Sequence, residues 1–583
     1  MASPATTRPV RPLDGLRLEA SGQPGPGAGL VAEHLRLLGA QADGHAGVEM
    51  SISGAESGFV TARTAWSERA EELCDEATVQ AATGIMAVHG RRDGSPRGLG
   101  VDYAATATAV LTVQAMLAGL IAQARGGGVT RVSTYADRAG LLAVSQYLAA
   151  AGAEEGEAAE VAPGGPPFTA ADGTAFELET LDPGAWAAFW RALDAPEQAI
   201  RAGWRPFQFR YATACAPFPA SLHTTARAST WERIRYAAET SGAEACPLHP
   251  LAGRAMDDAP PWSLRPHDAS YTRRPAPAQG PLAGMTVLEA GRRIQAPLAA
   301  HLLGLLGADV VRIEPPGGDP LRGMPPACSG VSARWLALNR GKRAVEIDIK
   351  SPTDRHRLVA MAAEADVFLH NWAPGKATQL RLDHEHLAAA NPALVYAYTS
   401  GWADRLPGAP MGTDFMVQAR TGVGEAVRPV DEPPAPSLMT LLDVLGGLLG
   451  AEAVLAGLLL RERTGSGVRV DSSLLGAADI LTATARRRAA AGHDPRRPAG
   501  FRRPLPTADG WVAPADGHAS PAAAHDLSAL PTGAALARLR DHGVTAAAVT
   551  TDLSDLHHDP RFAGSISRDA HGAPAVPDPW SFA

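Results

Sequence analysis

The chain has 583 residues, 45% of them hydrophobic and 20% charged, with 60 Gly and 48 Pro. That length allows about four domain-sized pieces at roughly 150 residues each, and Gly plus Pro stays below the ~25–30% of low-complexity disorder. A net charge of −8 excludes a nucleic-acid coat and a polybasic membrane binder.

The N-terminal MASPATTRPVRPLDG has no apolar leader core, so a cytoplasmic location is expected. Cys74, Cys215, Cys246 and Cys328 are scattered without CxxC or Cys/His pairing. They fit a reduced compartment and offer no metal or disulfide framework. The apolar run near 438–460 is interrupted by Asp443 and Glu452 and reads as buried helix, not membrane span.

Along the chain, six blocks recur in the same order. LDGLRLEAS (13–21) echoes LAGMTVLEAG (282–291), and VAEHLRLLGAQAD (31–43) echoes AAHLLGLLGADVV (299–311). VQAATG (79–84) echoes VQARTG (417–422), and AMLAGLIAQARGGGVTRV (115–132) echoes AVLAGLLLRERTGSGVRV (453–470). PFTAADG (167–173) echoes RPLPTADGW (503–511), and APPWSL (259–264) echoes PDPWSF (577–582). The reading is two tandem copies, 1–270 and 282–583, joined by a Pro/Ala/Gly linker at 271–281. Copy one is trimmed in front, spending 44–78 where copy two spends 312–416; copy two is trimmed in the rear.

In copy two, MTVLEAG is a strand, PLAAHLLGLLGAD an amphipathic helix and VVRIEPP a second strand. RAVEIDIK, PTDRHRLVAMAAEA and DVFLHNW repeat strand–helix–strand, and HEHLAAANP with ALVYAYTSGW adds another helix and strand. The predicted class is α/β with a parallel sheet and right-handed crossovers. Ligands in such sheets sit beyond the carboxyl ends of the strands, here the loops AGRRIQAP, EPPGGDPLRG, HNWAPGKA and SGWADRLPG. No GxGxxG opens the first helix and no P-loop is present, so neither NAD nor a P-loop nucleotide is supported.

LAGMTVLEAG, LLGADVVRIEPPGGDPLRG, LNRGKRAVEIDIKSP, DVFLHNWAPG, NPALVYAYTSGW, TDFMVQARTG, RERTGSGVRVDSSL and the terminal DPWSF stand in one order. In this the second half resembles the class III CoA transferases, the CaiB/BaiF family; the first half resembles a degenerate copy of the same unit. The resemblance implies a large Rossmann-like CoA-binding domain plus a smaller domain, duplicated here in tandem as a pseudo-dimer. Two chains of the family normally interlock, with the active site near their contact. Copy two is thus expected to supply the CoA site and copy one the supporting rear domain, in a monomeric pseudo-dimer or a homodimer.

The resemblance implies a nucleophilic aspartate before an apolar helix, matched by Asp443 in LLDVLGGLLGAEAVLAGL. A carboxylate there attacks an acyl-CoA thioester and carries CoA as an aspartyl thioester. A helix start favours the ionised carboxylate and offers amides to an oxyanion, and Gly446 and Gly447 are read as room for the thioester. The plain alternative is that Asp443 is a helix cap. Asp414 is a second acid in the motif. Related racemases carry histidine just before it, where this chain has Thr413, which cannot exchange an α-proton near neutral pH. In copy one, Ala105 falls in register with Asp443 and Glu76 with Asp414. Copy one reads as catalytically dead, unless an offset makes Asp102 a second nucleophile.

CoA carries phosphates and needs cations and free amides. The matching loops offer Arg292, Arg312, Asn339, Arg340, Lys342, Arg343, Asn371, Trp372 and Lys376. Arg340, Lys342 and Arg343 crowd one turn, which implies a nearby anion. His370, His384 and His386 read as surface, since i, i+2 side chains diverge on a helix, and Arg486, Arg487 and Arg488 as water-facing. The expected substrates are an acyl-CoA and a carboxylic acid, with no metal, nucleic acid or membrane involved. The alternatives are an acyl-CoA racemase or epimerase, and a CoA-binding protein without turnover.

Overall fold

The computed structural model describes residues 10–42, 47–54, 58–254, 259–269, 271 and 280–583. Most of the expected linker, 272–279, lies outside the described residues.

The alternating pattern of copy two becomes a seven-stranded sheet. Its order is Arg343–Glu346, Asp309–Glu314, Thr286–Ala290, Val367–His370, Val395–Ser400, Gly467–Ser473 and Trp262–His267. The first six strands are mutually parallel. The seventh comes from the end of copy one and runs antiparallel, pairing Trp262 with Ser472.

Copy one builds a smaller sheet in the order Gln41–Ala42, Arg17–Ser21, Glu49–Gly54, Gly58–Ala65, Arg131–Tyr135 and Trp580–Phe582. The antiparallel pair Glu49–Gly54 and Gly58–Ala65 stands between the first and last parallel strands. It takes the place that Val367–His370 and Val395–Ser400 hold in copy two, which is how 35 residues replace 105 there. The edge strand comes from copy two and pairs Trp580 with Thr134. Each copy therefore closes the other's sheet with its own terminal Trp-Ser strand. Both indoles are buried, at 5% and 4% exposure, so each closure anchors one large aromatic in a foreign core.

Two long apolar helices, Tyr103–Ala124 and Leu441–Thr464, pack on each other between the sheets. Each is long and apolar enough to cross a membrane, but all of one and 94% of the other's apolar window is buried inside the protein. Several polar groups at their seam are paired. Tyr103 Oη donates to the Leu441 carbonyl at 3.0 Å and Gln114 Nε2 to that of Leu448 at 2.7 Å. Glu452 meets His34 Nδ1 at 2.9 Å and Trp262 Nε1 at 3.1 Å. A buried carboxylate with such partners avoids the cost of an unpaired charge.

The rear parts form two small three-stranded units. That of copy one has strands Phe168–Thr169, Ala175–Glu179 and Glu244–Pro247 and an aromatic core in which Trp186 and Phe207 lie 4.4 Å apart. That of copy two, Leu505–Pro506, Trp511–Pro514 and Ala546–Ala548, has a smaller aliphatic core.

Candidate active site

Beyond the carboxyl ends of the copy-two strands lies a cleft of about 620 Å³. Its floor holds Arg292, Arg293, Asn371, Trp372 and the 398–404 segment, from three of the four expected loops. Asp414 and Asp443 form its end wall. Copy one supplies the opposite wall: Leu181 and Glu244 beside its small sheet, and Tyr211 from the helix Glu197–Thr213.

Asp443 sits in the first turn of the helix Leu441–Thr464, after Thr440 with φ +56°. Its backbone N–H donates to Asp414 Oδ2 at 2.7 Å. Asp414, wholly buried, therefore satisfies the free amide end of this helix, a cap contributed by another element. Asp443 itself is no cap. Among the described residues its carboxylate has neither a hydrogen bond nor an ion pair, although it lines the cleft. Burial pushes its ionisation well above the usual carboxylate range, and the negative charges of Asp414 and Glu179 push further; Arg293 opposes them. Burial also lifts Asp414, to about 6, against hydrogen bonds from Gln418 and the amides of Asp443 and Leu442.

Copy one reaches this wall through Glu179. That carboxylate accepts from Arg210 at 3.0 Å, from Tyr211 Oη and from Thr413 Oγ1 at 2.9 Å. The position where a racemase would need histidine thus carries a hydroxyl tied to a copy-one acid. Arg293 lies with its guanidinium carbon 5.3 Å from the Tyr211 ring centroid, at backbone φ +63°. Among the described residues it makes no ion pair. A strained, unpaired arginine beside a free carboxylate is where positive φ in a non-glycine residue has meaning. The sequence reading chose its neighbour Arg292 and missed Arg293, Tyr211 and Glu179; the RR doublet was the available signal for the first.

The other predicted residues divide. Asn371 pins the loop, accepting from Arg292 N at 2.9 Å and donating to Arg292 O at 3.0 Å. Trp372 lines the cleft beside it. Lys376 stays exposed and donates to Gln379. Arg312, Asn339, Arg340, Lys342 and Arg343 lie outside this cleft. Arg312 is 3% exposed and pairs with Glu289 and Asp319. Lys342 Nζ meets Glu289 at 2.9 Å and Asn339 Oδ1 at 2.8 Å, and burial brings its ionisation down to about 8. Arg343 pairs with Asp309 at the surface. Lys342 and Arg343 of that turn are thus answered by the protein's own carboxylates, while Arg340 has no ion pair among the described residues and keeps Nη1 without an acceptor. Asn339, Arg340 and Lys342 line a separate cleft of about 540 Å³ near 569–571.

Three further readings change. A side-chain carbon at Gly446 would fall 2.8 Å from Leu474 Cδ2, and one at Gly447 2.9 Å from the Gln295 carbonyl. These glycines let the helix Gln295–Leu305 and the Leu474 turn pack closely and leave no room for a ligand. His370 is buried, 2.7 Å from Tyr396 Oη, and burial takes its ionisation down to about 3. Arg486 is 5% exposed and pairs with Asp479 at 3.3 Å instead of facing water.

The same construction recurs in copy one without its acid. Glu76 accepts from the amides of Ala104 at 2.7 Å and Ala105 at 2.9 Å, as Asp414 does from Asp443. Gln80 braces Glu76 at 2.8 Å, as Gln418 braces Asp414. Ala105 therefore stands where Asp443 stands. Asp102 is not a free carboxylate, since Arg502 holds it at 2.6 Å and Arg497 at 3.4 Å, and the cavity beside it measures about 50 Å³. Among the described residues no cluster of three His, Cys, Asp or Glu side chains is placed to hold a metal.

The model of CoA-transferase family III matches residues 56–259 and again 282–568. A succinyl-CoA:glutarate CoA-transferase of Mus musculus is 33% identical over 37% of this chain and 48% of its own length. An acetyl-CoA:oxalate CoA-transferase of Acetobacter aceti is 35% identical over 34% of this chain and 52% of its own length. The chain spans about half the length of these curated relatives. Among solved structures, a CAIB/BAIF family protein from Brucella suis aligns with 51% of this chain and 91% of its own, at 27% identity and a TM-score of 0.45.

Proposed function

Since this chain belongs to CoA-transferase family III, we propose that it moves CoA from an acyl-CoA thioester to a free carboxylic acid, with Asp443 as the group that is acylated. An Asp443 oxygen attacks the thioester carbonyl; the C–S bond breaks, giving a mixed anhydride and CoA thiolate. The thiolate attacks the aspartyl carbonyl and expels the donor acid, leaving an aspartyl-CoA thioester. The acceptor carboxylate then runs the two steps in reverse order and leaves as its CoA thioester. No proton is consumed, and the carboxylate must be ionised to attack. Arg293 favours that form against burial and the neighbouring acids.

The observation that carries this reading is the unpartnered Asp443 carboxylate at the end of a cleft walled by both copies. In this reading Arg292, Arg293 and Trp372, which line the cleft floor, meet CoA there, while Asn371 holds that floor in shape. The relatives are named for dicarboxylic acids, glutarate and oxalate, so dicarboxylates are the first acceptors to test. The racemase alternative lacks support, since Thr413 donates to Glu179 and no imidazole stands there.

The test is chemical. After incubation with acyl-CoA and a quench, the peptide containing Asp443 carries the adduct by mass spectrometry, and Asp443→Ala carries none. Absence of any adduct together with α-deuterium exchange would overturn the transferase reading in favour of α-proton chemistry.

A further inference from the structure

On another face of the contact between copies, a cleft of about 390 Å³ is lined almost wholly by charges. Copy one supplies Arg92, Asp93 and Arg97; copy two supplies Arg428, Asp431, Glu432 and Arg503. The acids are fully used. Asp93 takes Arg428 at 2.8 Å, and Asp431 takes Arg503 at 2.7 Å. Glu432 is divided among Arg428 at 3.0 Å, Arg97 at 3.1 Å and Arg503 at 3.4 Å.

Four cations thus face three carboxylates along the cleft, and Arg92 is the one left without an ion pair; the buried Glu177 behind it, lifted to about 8 by burial, is the further carboxyl it senses. Among the described residues Arg92 has no ion pair; its guanidinium makes one long hydrogen bond, 3.4 Å to the Pro436 carbonyl. Burial takes its ionisation down to about 10, so it stays charged at neutral pH. Arg428, 3% exposed, keeps Nε and Nη2 without an acceptor, and Arg97 keeps Nε likewise. Buried donors of this kind are uncommon in finished interiors, and guanidinium groups are built to take paired oxygens of a carboxylate or phosphate.

We propose that this cleft is a binding site for a small oxyanion, a phosphate or carboxylate group that completes the charge of Arg92 and bridges the two copies. The site is separate from the Asp443 cleft and shares no lining residue with it. Its volume is ample for a small oxyanion.

The test uses the full chain in isothermal titration at ~0.15 M salt, where exposed-surface attraction is screened. Inorganic phosphate is titrated in one arm and malonate in another. Saturable one-to-one binding is expected in at least one arm, and the arm that binds tells a phosphate from a carboxylate ligand. Arg92→Met weakens it at least tenfold, Arg92→Lys recovers part of the loss, and saturating CoA leaves it unchanged. Arg503→Gln at the rim also weakens it, and carries the test if Arg92→Met does not fold. No saturable binding in either arm, undiminished affinity in the variants, or competition by CoA would each overturn the assignment.

Discussion

The wall around Asp414 and Asp443 and its counterpart around Glu76 and Ala105 share one framework. In each, a buried acid braced by a glutamine accepts amides from the first turn of a long apolar helix. What differs is one side chain and the space before it. Copy two presents a free carboxylate to about 620 Å³; copy one presents a methyl group, with about 50 Å³ beside the nearest acid. The comparison separates two roles of the same motif. The cap acid maintains the helix start in both copies. Under the proposed function, the nucleophile is added on top of that scaffold in one copy only.

Substitutions on either side test whether the two copies differ in this way. The largest expected effect is on Asp443→Ala, which lowers transfer by at least about a thousandfold in steady-state assays while leaving CoA binding measurable. Removing the exchanged aromatic, Trp580→Ala, lowers unfolding free energy by about 3–5 kcal/mol in denaturant titration; a loss under 1 kcal/mol would show that the crossed strand contributes little. Ala105→Asp places an acid among buried groups beside Glu76, whose own ionisation is already lifted to about 7 by burial. It costs about 2–4 kcal/mol and gives no adduct at residue 105; an adduct there would show that copy one lacks only the side chain. Gly447→Ala meets the Gln295 carbonyl and Leu298 and destabilises by about 1–3 kcal/mol.

The smallest effect is electrostatic. On the proposed mechanism Asp443 must be ionised to attack, and it is lifted above the usual carboxylate range, so transfer is expected to fall as pH drops through that raised value. Arg293 holds the value down. Arg293→Met therefore moves the acid limb of the pH–rate profile to higher pH, with the alkaline plateau little changed in limb position. A limb that stays in place would remove Arg293 from the nucleophile's environment.

Much of the cap framework was legible because it is local. VQAATG and VQARTG each spell a short helix stopped by a glycine at positive φ, Gly84 at +85° and Gly422 at +81°, and such signals read at short range. The register that aligns Ala105 with Asp443 follows from the same strings. Arg312 and Lys342, read as phosphate contacts, illustrate the opposite, non-local case. Their counter-charge, Glu289, lies 23 and 53 residues upstream on a neighbouring strand, and a charge pattern shows cations without showing what neutralises them. Gly446 and Gly447 were misread in the same way, since what a missing side chain makes room for depends on the element packed across from it.

The amino-acid sequence by itself determined the duplication and the α/β class, because repeats and strand–helix alternation are written in consecutive residues; the candidate nucleophile came from the resemblance to the family, since an aspartate before an apolar helix reads equally as a cap. Only the tertiary structure decided which copy closes which sheet, since a short Trp-Ser strand, of six residues in copy one and three in copy two, pairs with any open edge and names no partner. It alone brought Glu179 and Tyr211 of copy one to the cleft of copy two. It also left Asp443 without a partner while enclosing Asp102 between arginines. Those outcomes rest on distances between residues hundreds of positions apart, where burial and charge act through space and not along the chain.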